Sequence, residues 1–370
     1  MVIFYNLSIW LVTILIKLAS PFNAKAKLFV AGRRKIIKKT QQLFAGNTSK
    51  VVWFHCASLG EFEQGRPVIE ALKSEFPTVK VLLTFFSPSG YEVKKNYEGA
   101  DYILYLPWDT RYNAKKFIET TKPVLAIFVK YEFWYHYTHV LKDRGIPVIS
   151  ISSIFRPDQF FFHFLGGFYR GILKQFTYFF VQNDSSVKLL HSIGIQHCEQ
   201  AGDTRFDRVY QIVNQAKEIP IAKRFKAGQK VFVAGSCWSE DMEVLIPMIN
   251  DQRLKFIIAP HEISETFISS IEQSLMVKSI RYSQAEGKDL EDYSVLIIDN
   301  IGLLSRLYGY GEFAYIGGAF GKGLHNILEA ACYGVPILFG NRNFQKFQEA
   351  TDLINRGGAF EVGDYTDLKT

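Results

Sequence analysis

The chain has 370 residues, 48% hydrophobic and 15% aromatic, which is enough apolar side chain for a large core and excludes a disordered protein. Lys and Arg number 43 against 36 Asp and Glu, for a net charge of +7, yet residues 1–50 hold nine basic side chains and no acid. The remaining 320 residues carry 34 basic and 36 acidic side chains, which excludes a protein-wide nucleic-acid-binding surface. The length predicts about two domains.

An uncharged apolar segment, residues 2–16, opens the chain and ends at Lys17. As a helix it would be about 22 Å long, and counting on to Phe22 makes it a marginal match to the ~30 Å hydrocarbon core. Basic residues follow this segment and none precedes it, which argues against a cleaved signal and keeps residues 23 onward in the cytoplasm. We predict that residues 1–22 anchor the chain to an anionic membrane, as a span or as an interfacial helix. A buried first helix of the globular domain is the alternative.

Four cysteines lie far apart in the chain, without a CxxC pair. This spacing is typical of neither a disulfide framework nor a zinc site, and it fits a reducing, cytoplasmic environment. Cys56 and Cys332 lie among apolar residues and are predicted to be small core side chains. We expect neither a metal nor another cofactor.

Short apolar runs alternate with helical patterns along the rest of the chain, and each run is nearly continuous, as in parallel strands covered on both faces. A first set comprises residues 51–57, 79–86, 102–106, 124–129, 147–152 and 178–182. A second set comprises residues 231–235, 256–260, 295–299, 313–317 and 336–340. The polar stretch 212–230 between them is interpreted as a connection. The sequence therefore predicts an α/β protein of two Rossmann-like, doubly wound domains, 23–211 and 212–370, facing a cleft.

In such sheets ligands bind beyond the carboxyl ends of the strands, where Gly317–Gly340 is the most distinctive loop. Four glycines fall within seven residues, and a helix is predicted from near His325. Glycines let the backbone approach a ligand closely, and a helix N-terminus offers N–H groups to a phosphate. Glu329, one turn after Asn326, is placed to accept hydrogen bonds from ribose hydroxyls. The pattern favours a nucleotide-binding loop, with a glycine-rich turn and a solvated Glu329 as the alternative.

The segment Ala57–Pro67 follows the first strand. Gly60 is predicted to turn the chain, and Glu61 then begins a helix facing the cleft, where a carboxylate can act as a general base. The alternative for Glu61 is a first-turn residue favoured by the helix dipole. His55 lies inside an apolar strand and is predicted to be a satisfied core histidine. For His261, just after a strand, a ligand-binding role and a structural one stay equally open.

Three further charged residues stand in candidate loops. Glu132 is the anomaly in the aromatic segment 131–137, whose alternative interpretation is the start of a core helix. Arg156 and Arg205 supply cations that could meet an anionic ligand, although a lone arginine is usually solvated.

Six short motifs occur in a characteristic order. They are Ser-Leu-Gly-Glu at 58–61, Leu-Pro-Trp-Asp at 106–109, Glu-Phe-Trp at 132–134, Gly-Asp-Thr-Arg-Phe-Asp at 202–207, Ala-Gly-Ser at 234–236 and Gly-Gly-x4-Gly-x-His-Asn-x2-Glu at 317–329. Together they resemble the 3-deoxy-D-manno-octulosonic acid (Kdo) transferases of lipopolysaccharide synthesis, from about Trp53 to Val362. The resemblance implies a GT-B fold, CMP-Kdo as donor, and a lipid A precursor as acceptor at the cytoplasmic face of the inner membrane.

The resemblance also implies roles for particular residues. Glu61 would be the catalytic base. The acceptor side would be formed by Ser58, Gly60, Glu132 and Arg156. The donor side would be formed by Arg205, Ser236, His261, Gly318, Gly323, His325, Asn326 and Glu329.

The sequence departs from the family pattern at four places. Lys130 replaces the first Glu of a Glu-x-Glu pair, Tyr135 replaces a Pro, His261 follows Pro260 without the usual intervening Arg, and Leu324 replaces a Gly. GT-B chains usually send carboxy-terminal helices back across the N-terminal domain, so ending at Thr370 raises the expectation of a truncated chain.

Two other functions stay open at this point. One is another membrane-associated GT-B glycosyltransferase that uses a UDP- or GDP-sugar, which would share the glycine-rich loop but give no reason for Glu61. The other is a two-lobed solute-binding protein, which would need an export signal.

Overall fold

The computed structural model describes residues 1–214, 218–251 and 254–369. The chain divides into two compact units, Met1–Arg208 and Val209–Thr370, and each contains one seven-stranded sheet. All the strand pairs of both sheets are parallel. The predicted α/β class is therefore confirmed. Residues 215–217 of the predicted connection lie outside the described residues.

The first unit begins with three helices and continues as alternating strands and helices. The helices are α1 (Val2–Ala19), α2 (Ala24–Arg33), α3 (Ile36–Leu43), α4 (Leu59–Glu75), α5 (Pro88–Lys94), α6 (Arg111–Thr121), α7 (Tyr135–Asp143), α8 (Gly167–Leu173) and α9 (Asp184–Ser192). Helix α10 (Arg205–Asn214) begins in the first unit and ends in the second. The strands are β1 (Val51–Cys56), β2 (Lys80–Phe85), β3 (Tyr102–Tyr105), β4 (Pro123–Val129), β5 (Val148–Ser153), β6 (Tyr178–Val181) and β7 (Cys198–Gln200). Their order in the sheet is β3-β2-β1-β4-β5-β6-β7, so the direction of winding reverses between β1 and β4.

The second unit repeats this architecture. Its helices are α11 (Pro220–Lys226), α12 (Ser239–Asp251), α13 (Glu265–Ser274), α14 (Leu304–Leu307), α15 (Leu328–Ala331), α16 (Gln348–Asn355) and α17 (Tyr365–Lys369). Its strands are β8 (Val231–Cys237), β9 (Lys255–Pro260), β10 (Ser279–Arg281), β11 (Val295–Ile297), β12 (Phe313–Ile316), β13 (Ile337–Gly340) and β14 (Ala359–Val362). The order β10-β11-β9-β8-β12-β13-β14 reverses between β8 and β12.

The central strands are buried on both faces, which is why their sequences are continuous apolar runs. All six residues of β1 are buried, and Trp53 and Phe54 have no exposed surface. The strands absent from the sequence prediction, β7, β10 and β14, all lie at a sheet edge and are only three or four residues long. Their outward side chains, such as Glu199 and Glu361, are exposed, so no continuous apolar run marks them.

Helix α1 is long and apolar enough to cross a membrane, by length and composition alone. None of its residues is buried, so the alternative of a buried first helix is wrong. Among the nine early basic residues Arg33 is an exception, because it is buried and its guanidinium donates to the carbonyls of Leu106 and Phe86.

Candidate functional site

The carboxyl end of β1 leads directly into the segment that holds Glu61. Ser58 is the N-cap of α4, and its backbone N–H donates to Glu61 Oε2 at 3.0 Å while its hydroxyl bonds to the same oxygen. This reciprocal capping box orients the carboxylate at the reversal point of the first sheet. The turn itself is made by Ala57 and Ser58. The prediction that Gly60 turns the chain is wrong, because Gly60 lies in the first turn of α4.

The loop between β4 and α7 holds Glu132, across the same reversal point. Glu132 Oε2 lies 3.0 Å from His55 Nε2 and accepts from Trp134 Nε1 at 2.8 Å. His55 is wholly buried, and its Nδ1 lies 2.8 Å from Thr84 Oγ1, which accepts from Trp53 Nε1. A buried chain of hydrogen bonds thus leads to this carboxylate. His55 is the satisfied core histidine that the sequence predicted, and its partner is Glu132.

The two arginines differ in their partners. Arg156 has a 57% exposed side chain, with Nη1 3.4 Å from Tyr131 Oη and Nε 3.7 Å from Asp158. Arg205 lies in the first unit, where its guanidinium contacts Asp203 at 2.6 Å and 2.8 Å. The expected donor role of Arg205 stays a prediction, since this cation already has a carboxylate partner.

In the second unit the Asp241 side chain bonds to the segments that follow β8 and β12, the two strands between which the sheet order reverses. This fully buried carboxylate accepts from Trp238 N at 2.8 Å, Gly318 N at 2.9 Å and Tyr315 Oη at 2.8 Å. Burial raises its pKa. Asp241 was absent from the sequence prediction, although an acid in the first turn of a helix after a strand is a recognisable capping signal.

The backbone beside Asp241 is crowded. A Cβ on Gly317 would stand 2.3 Å from the carbonyl oxygen of Ser236. The backbone of Ser236 has a φ of 55°, in the left-handed region. The candidate Ser236 therefore lies directly against the start of the glycine-rich loop.

The glycine-rich loop folds back on itself. Gly318 and Gly323 have φ angles of 94° and 121°, which glycine adopts without strain, and Gly323 N donates to Gly318 O at 2.9 Å. His325 N donates to Gly317 O at 3.2 Å. These bonds use N–H groups that a helix starting there would present to a ligand. The predicted helix from near His325 is wrong, because the short α15 begins only at Leu328.

An aromatic stack stands beside this loop. The ring centroid of His261 lies 4.2 Å from that of Trp238 and 4.4 Å from that of His325, and Trp238 Nε1 donates to His325 Nε2 at 3.0 Å. Lys322 Nζ lies 3.7 Å from the Trp238 ring centroid. Burial lowers the pKa of His325 to about 4 and also lowers the pKa of His261. Both imidazoles are therefore neutral at pH 7. Neither Trp238 nor Lys322 was among the predicted site residues, although Lys322 lies within the glycine-rich motif 317–329.

Asn326 and Glu329 lie on one face, as the sequence predicted. Asn326 Nδ2 donates to Glu329 Oε1 at 3.0 Å, and its Oδ1 accepts from Leu328 N at 3.3 Å. The second unit thus combines a stacking surface, neutral imidazoles, a cation and a carboxylate, which suits an anionic nucleotide derivative. No group of three or more His, Cys, Asp or Glu side chains in the described part of the chain could hold a metal ion.

Comparison with known proteins gives one consistent picture. Residues 30–208 match the family described as 3-deoxy-D-manno-octulosonic-acid transferase (kdotransferase). A 3-deoxy-D-manno-octulosonic acid transferase of Aquifex aeolicus is 28% identical over 334 residues, covering 88% of this chain and 85% of the relative. That of Haemophilus influenzae is 24% identical and covers 88% and 79%.

Solved structures show the fold. UDP-GlcNAc 2-epimerase from Neisseria meningitidis superposes with a TM-score of 0.58 at 15% identity, covering 86% of this chain and 89% of that one. MurG from Acinetobacter baumannii gives 0.53 at 12% identity, covering 85% of each chain. With the two parallel sheets, these likenesses confirm the predicted GT-B-type fold.

Proposed function

We propose that this chain, which belongs to the Kdo transferase family, moves Kdo from CMP-Kdo to a lipid A precursor in lipopolysaccharide biosynthesis. The observation that carries the proposal is the Glu61 carboxylate, which its capping box holds at the reversal point of the first sheet. Residues 30–208 of this unit are those that match the family. A reaction that must remove a proton from an acceptor hydroxyl needs a positioned carboxylate of this kind.

Glu61 acts as the general base. The hydrogen bonds from Ser58 both reach Oε2, so Oε1 can receive the proton of the acceptor hydroxyl. The hydroxyl oxygen attacks the anomeric carbon of Kdo, and the bond from this carbon to the phosphate oxygen breaks. CMP leaves with the electron pair, so the products are the glycoside, CMP and a protonated Glu61.

Glu132 supports the acceptor side from the other strand. Its side chain is 14% exposed and receives hydrogen bonds from His55 and Trp134, which hold the loop after β4 in one conformation. Ser58, Gly60 and Arg156 complete the acceptor side of the proposal, with Arg156 offering a solvent-facing cation to an acceptor phosphate.

The second unit holds the donor in this proposal. His325 is neutral and its Nε2 accepts from Trp238, so its proton is on Nδ1, which can donate to an anionic oxygen. Lys322 and Lys346 adjoin the glycine-rich loop and can stabilise the charge of the departing phosphate. Glu329 faces the ribose, beside Asn326, and Arg205 is a further candidate for the donor phosphate.

The acceptor is a lipid, so the proposal places the enzyme at the cytoplasmic face of the inner membrane, held by its N-terminal segment. The eight exposed basic residues among the first 50 favour an anionic membrane surface.

The test is transfer by the full chain in mixed micelles with a tetra-acylated lipid A precursor. CMP-Kdo generated in situ should give a product one Kdo heavier by mass spectrometry, whereas UDP- and GDP-sugars should give none. Transfer from a UDP- or GDP-sugar, with none from CMP-Kdo, would contradict the proposed donor and favour the other membrane-associated GT-B glycosyltransferase.

A further inference from the structure

Helix α1 has two different sides. Phe4, Leu7, Leu11, Leu15 and Leu18 recur at helical spacing on one side, and each is 50–70% exposed. We call these five residues the outward face. On the opposite side, Tyr5, Ile9, Thr13 and Ile16 are half-buried at intervals of three or four residues. Within this inner stripe the Tyr5 ring packs against Tyr135, His136 and Phe168.

The start of α1 is fastened to the first unit. Tyr5 Oη donates to the buried Asp109 carboxylate at 2.5 Å, and His136 Nε2 donates to Asn6 Oδ1 at 2.6 Å. Asp109 also accepts from the backbone N–H groups of His136 and Tyr137 at the beginning of α7. The first turn of α1 is therefore hydrogen-bonded to the same buried carboxylate, Asp109, that accepts from the backbone at the start of α7.

The helix that follows α1 packs against the same place. Helix α2 begins at Ala24, shortly after α1 ends at Ala19, and the buried ring of Phe29 in α2 packs against Trp108, immediately before Asp109, with centroids 5.4 Å apart. The loop after β3 thus contacts both the first turn of α1 and the helix that follows it. A crossing helix of 18 residues, about 27 Å long, would instead place its two ends on opposite sides of a core about 30 Å thick.

We infer that α1 does not cross the bilayer but lies in the plane of one leaflet, with its outward face among the acyl chains of an anionic phospholipid membrane. The sequence left a span and an interfacial helix open, and this inference selects the interfacial helix. This geometry does not depend on which sugar the enzyme transfers.

Charge and a second apolar element support a membrane as the occupant. Lys17, Lys25 and Lys27 are exposed around the end of α1, where anionic headgroups would meet them. Phe164 and Leu165, 96% and 72% exposed, precede Phe168, whose ring centroid lies 5.9 Å from that of Tyr5. This exposed aromatic segment therefore lies beside the start of α1.

Depth measurements on the full chain test the inference. Nitroxides are placed one at a time at Leu7→Cys, Leu11→Cys, Leu15→Cys and Leu18→Cys, with Cys332→Ser to remove the one cysteine that is not buried. The protein is bound to vesicles of equal parts phosphatidylethanolamine and phosphatidylglycerol, and depth is measured by relaxation with oxygen and with a water-soluble nickel complex. Val124→Cys, exposed at the amino end of β4, is the aqueous control.

The expected result is one shallow depth below the headgroups at all four sites and an aqueous signal at the control. A profile that is deepest at Leu11 and shallow at both Leu7 and Leu18 would overturn the inference in favour of a span. Absence of lipid contact at all four sites would also overturn it, and association of copies in sedimentation would then identify a protein as the occupant.

A protease site added before Met1 gives an independent readout. In protein bound to the outside of sealed vesicles, complete cleavage is expected, because both ends of α1 stay on the side of the globular unit. Protection of this site until detergent is added would contradict the in-plane arrangement.

Discussion

The two sheet reversals of this protein have the same topology and opposite chemistry. At β1 and β4, Glu61 and Glu132 are carboxylates held by hydrogen bonds from Ser58 and His55. At β8 and β12, the exposed ring of His261 stacks on the half-buried ring of His325 beside Lys322, and the carboxylate of Asp241 is fully buried. The same sheet topology therefore presents two carboxylates at one edge and stacked rings beside a cation at the other, because the local packing differs, and only the proposed function assigns proton abstraction to the first edge and donor binding to the second.

Removal of the Asp241 carboxylate should have the largest effect on stability. Asp241→Ala leaves three donors without an acceptor, the buried Gly318 N and Tyr315 Oη and the half-buried Trp238 N. We expect the free energy of unfolding to fall by about 4 kcal/mol, since each orphaned donor costs roughly 1–3 kcal/mol. Urea unfolding measures this loss. Glu240→Gln, an exposed neighbour, should stay close to the wild type. An equal loss in both variants would contradict the stabilising role of the Asp241 hydrogen bonds.

The pH dependence of stability should have opposite signs in the two units. Burial raises the pKa of Asp109 to about 6, so its contribution to stability is full below pH 3.8 and is lost as the pH rises through 6. A shift of about two units corresponds to roughly 3 kcal/mol. The lowered pKa of His325 acts in the other direction, because its contribution is full above pH 6.5 and falls as the pH drops toward 4.

Urea unfolding between pH 4 and pH 7 measures both effects by difference. Asp109→Asn should remove the loss of stability with rising pH, and His325→Gln should remove the loss with falling pH. If neither variant changed the pH profile, these two groups would not titrate as described.

A smaller effect is expected from the buried chain behind Glu132. Thr84→Val removes the acceptor of Trp53 Nε1 and the hydroxyl partner of His55. We expect a loss of about 2 kcal/mol in unfolding free energy and weaker transfer, with CMP binding unchanged. Thr121→Val is the matched control, since the buried Thr121 hydroxyl bonds only within its own helix to Phe117 O. Weaker CMP binding in Thr84→Val would break the division between the two edges.

The smallest stability effect should come from Gly318→Ala. A Cβ there would stand 2.5 Å from Gly323 O, and the φ of 94° is unfavourable for alanine. We expect about 1–2 kcal/mol of destabilisation and a measurable loss of CMP affinity by calorimetry. Gly334→Ala, with a φ of 69° and open space around it, shares the backbone strain without the clash. Equal CMP affinity in the two variants would remove Gly318 from the donor side.

The sequence predicted the central strands and the position of the loops that follow them, for definable reasons. Strands buried on both faces carry continuous apolar runs, and the loops after them are found by position. Edge strands such as Cys198–Gln200 were missed because half of their residues face solvent. Position on the predicted elements suggested roles for Glu61 and Glu329 but left structural alternatives open, and the family resemblance favoured the functional roles.

The sequence alone did not predict contacts between residues that are far apart in the chain. Asp241 meets Gly318 across 77 positions, and Trp238 meets His325 across 87, so no local pattern marks either contact. The buried Arg33 was indistinguishable from its basic neighbours, since its burial depends on Phe86 and Leu106 far along the chain. The predicted helix began near His325, three residues too early. In the structure His325 N donates to Gly317 O, a contact that the local sequence does not reveal.

The most direct test of the central claim is a paired measurement on Glu61→Gln. Glutamine can keep the capping bond but cannot accept a proton, so transfer from CMP-Kdo should fall by about 10²–10⁴-fold while CMP binds as tightly as to the wild type. Glu63→Gln, on the same helix and paired with Lys94 at 3.2 Å, should keep full activity. Transfer by Glu61→Gln at the wild-type rate would contradict the assignment of proton abstraction to the edge at β1 and β4.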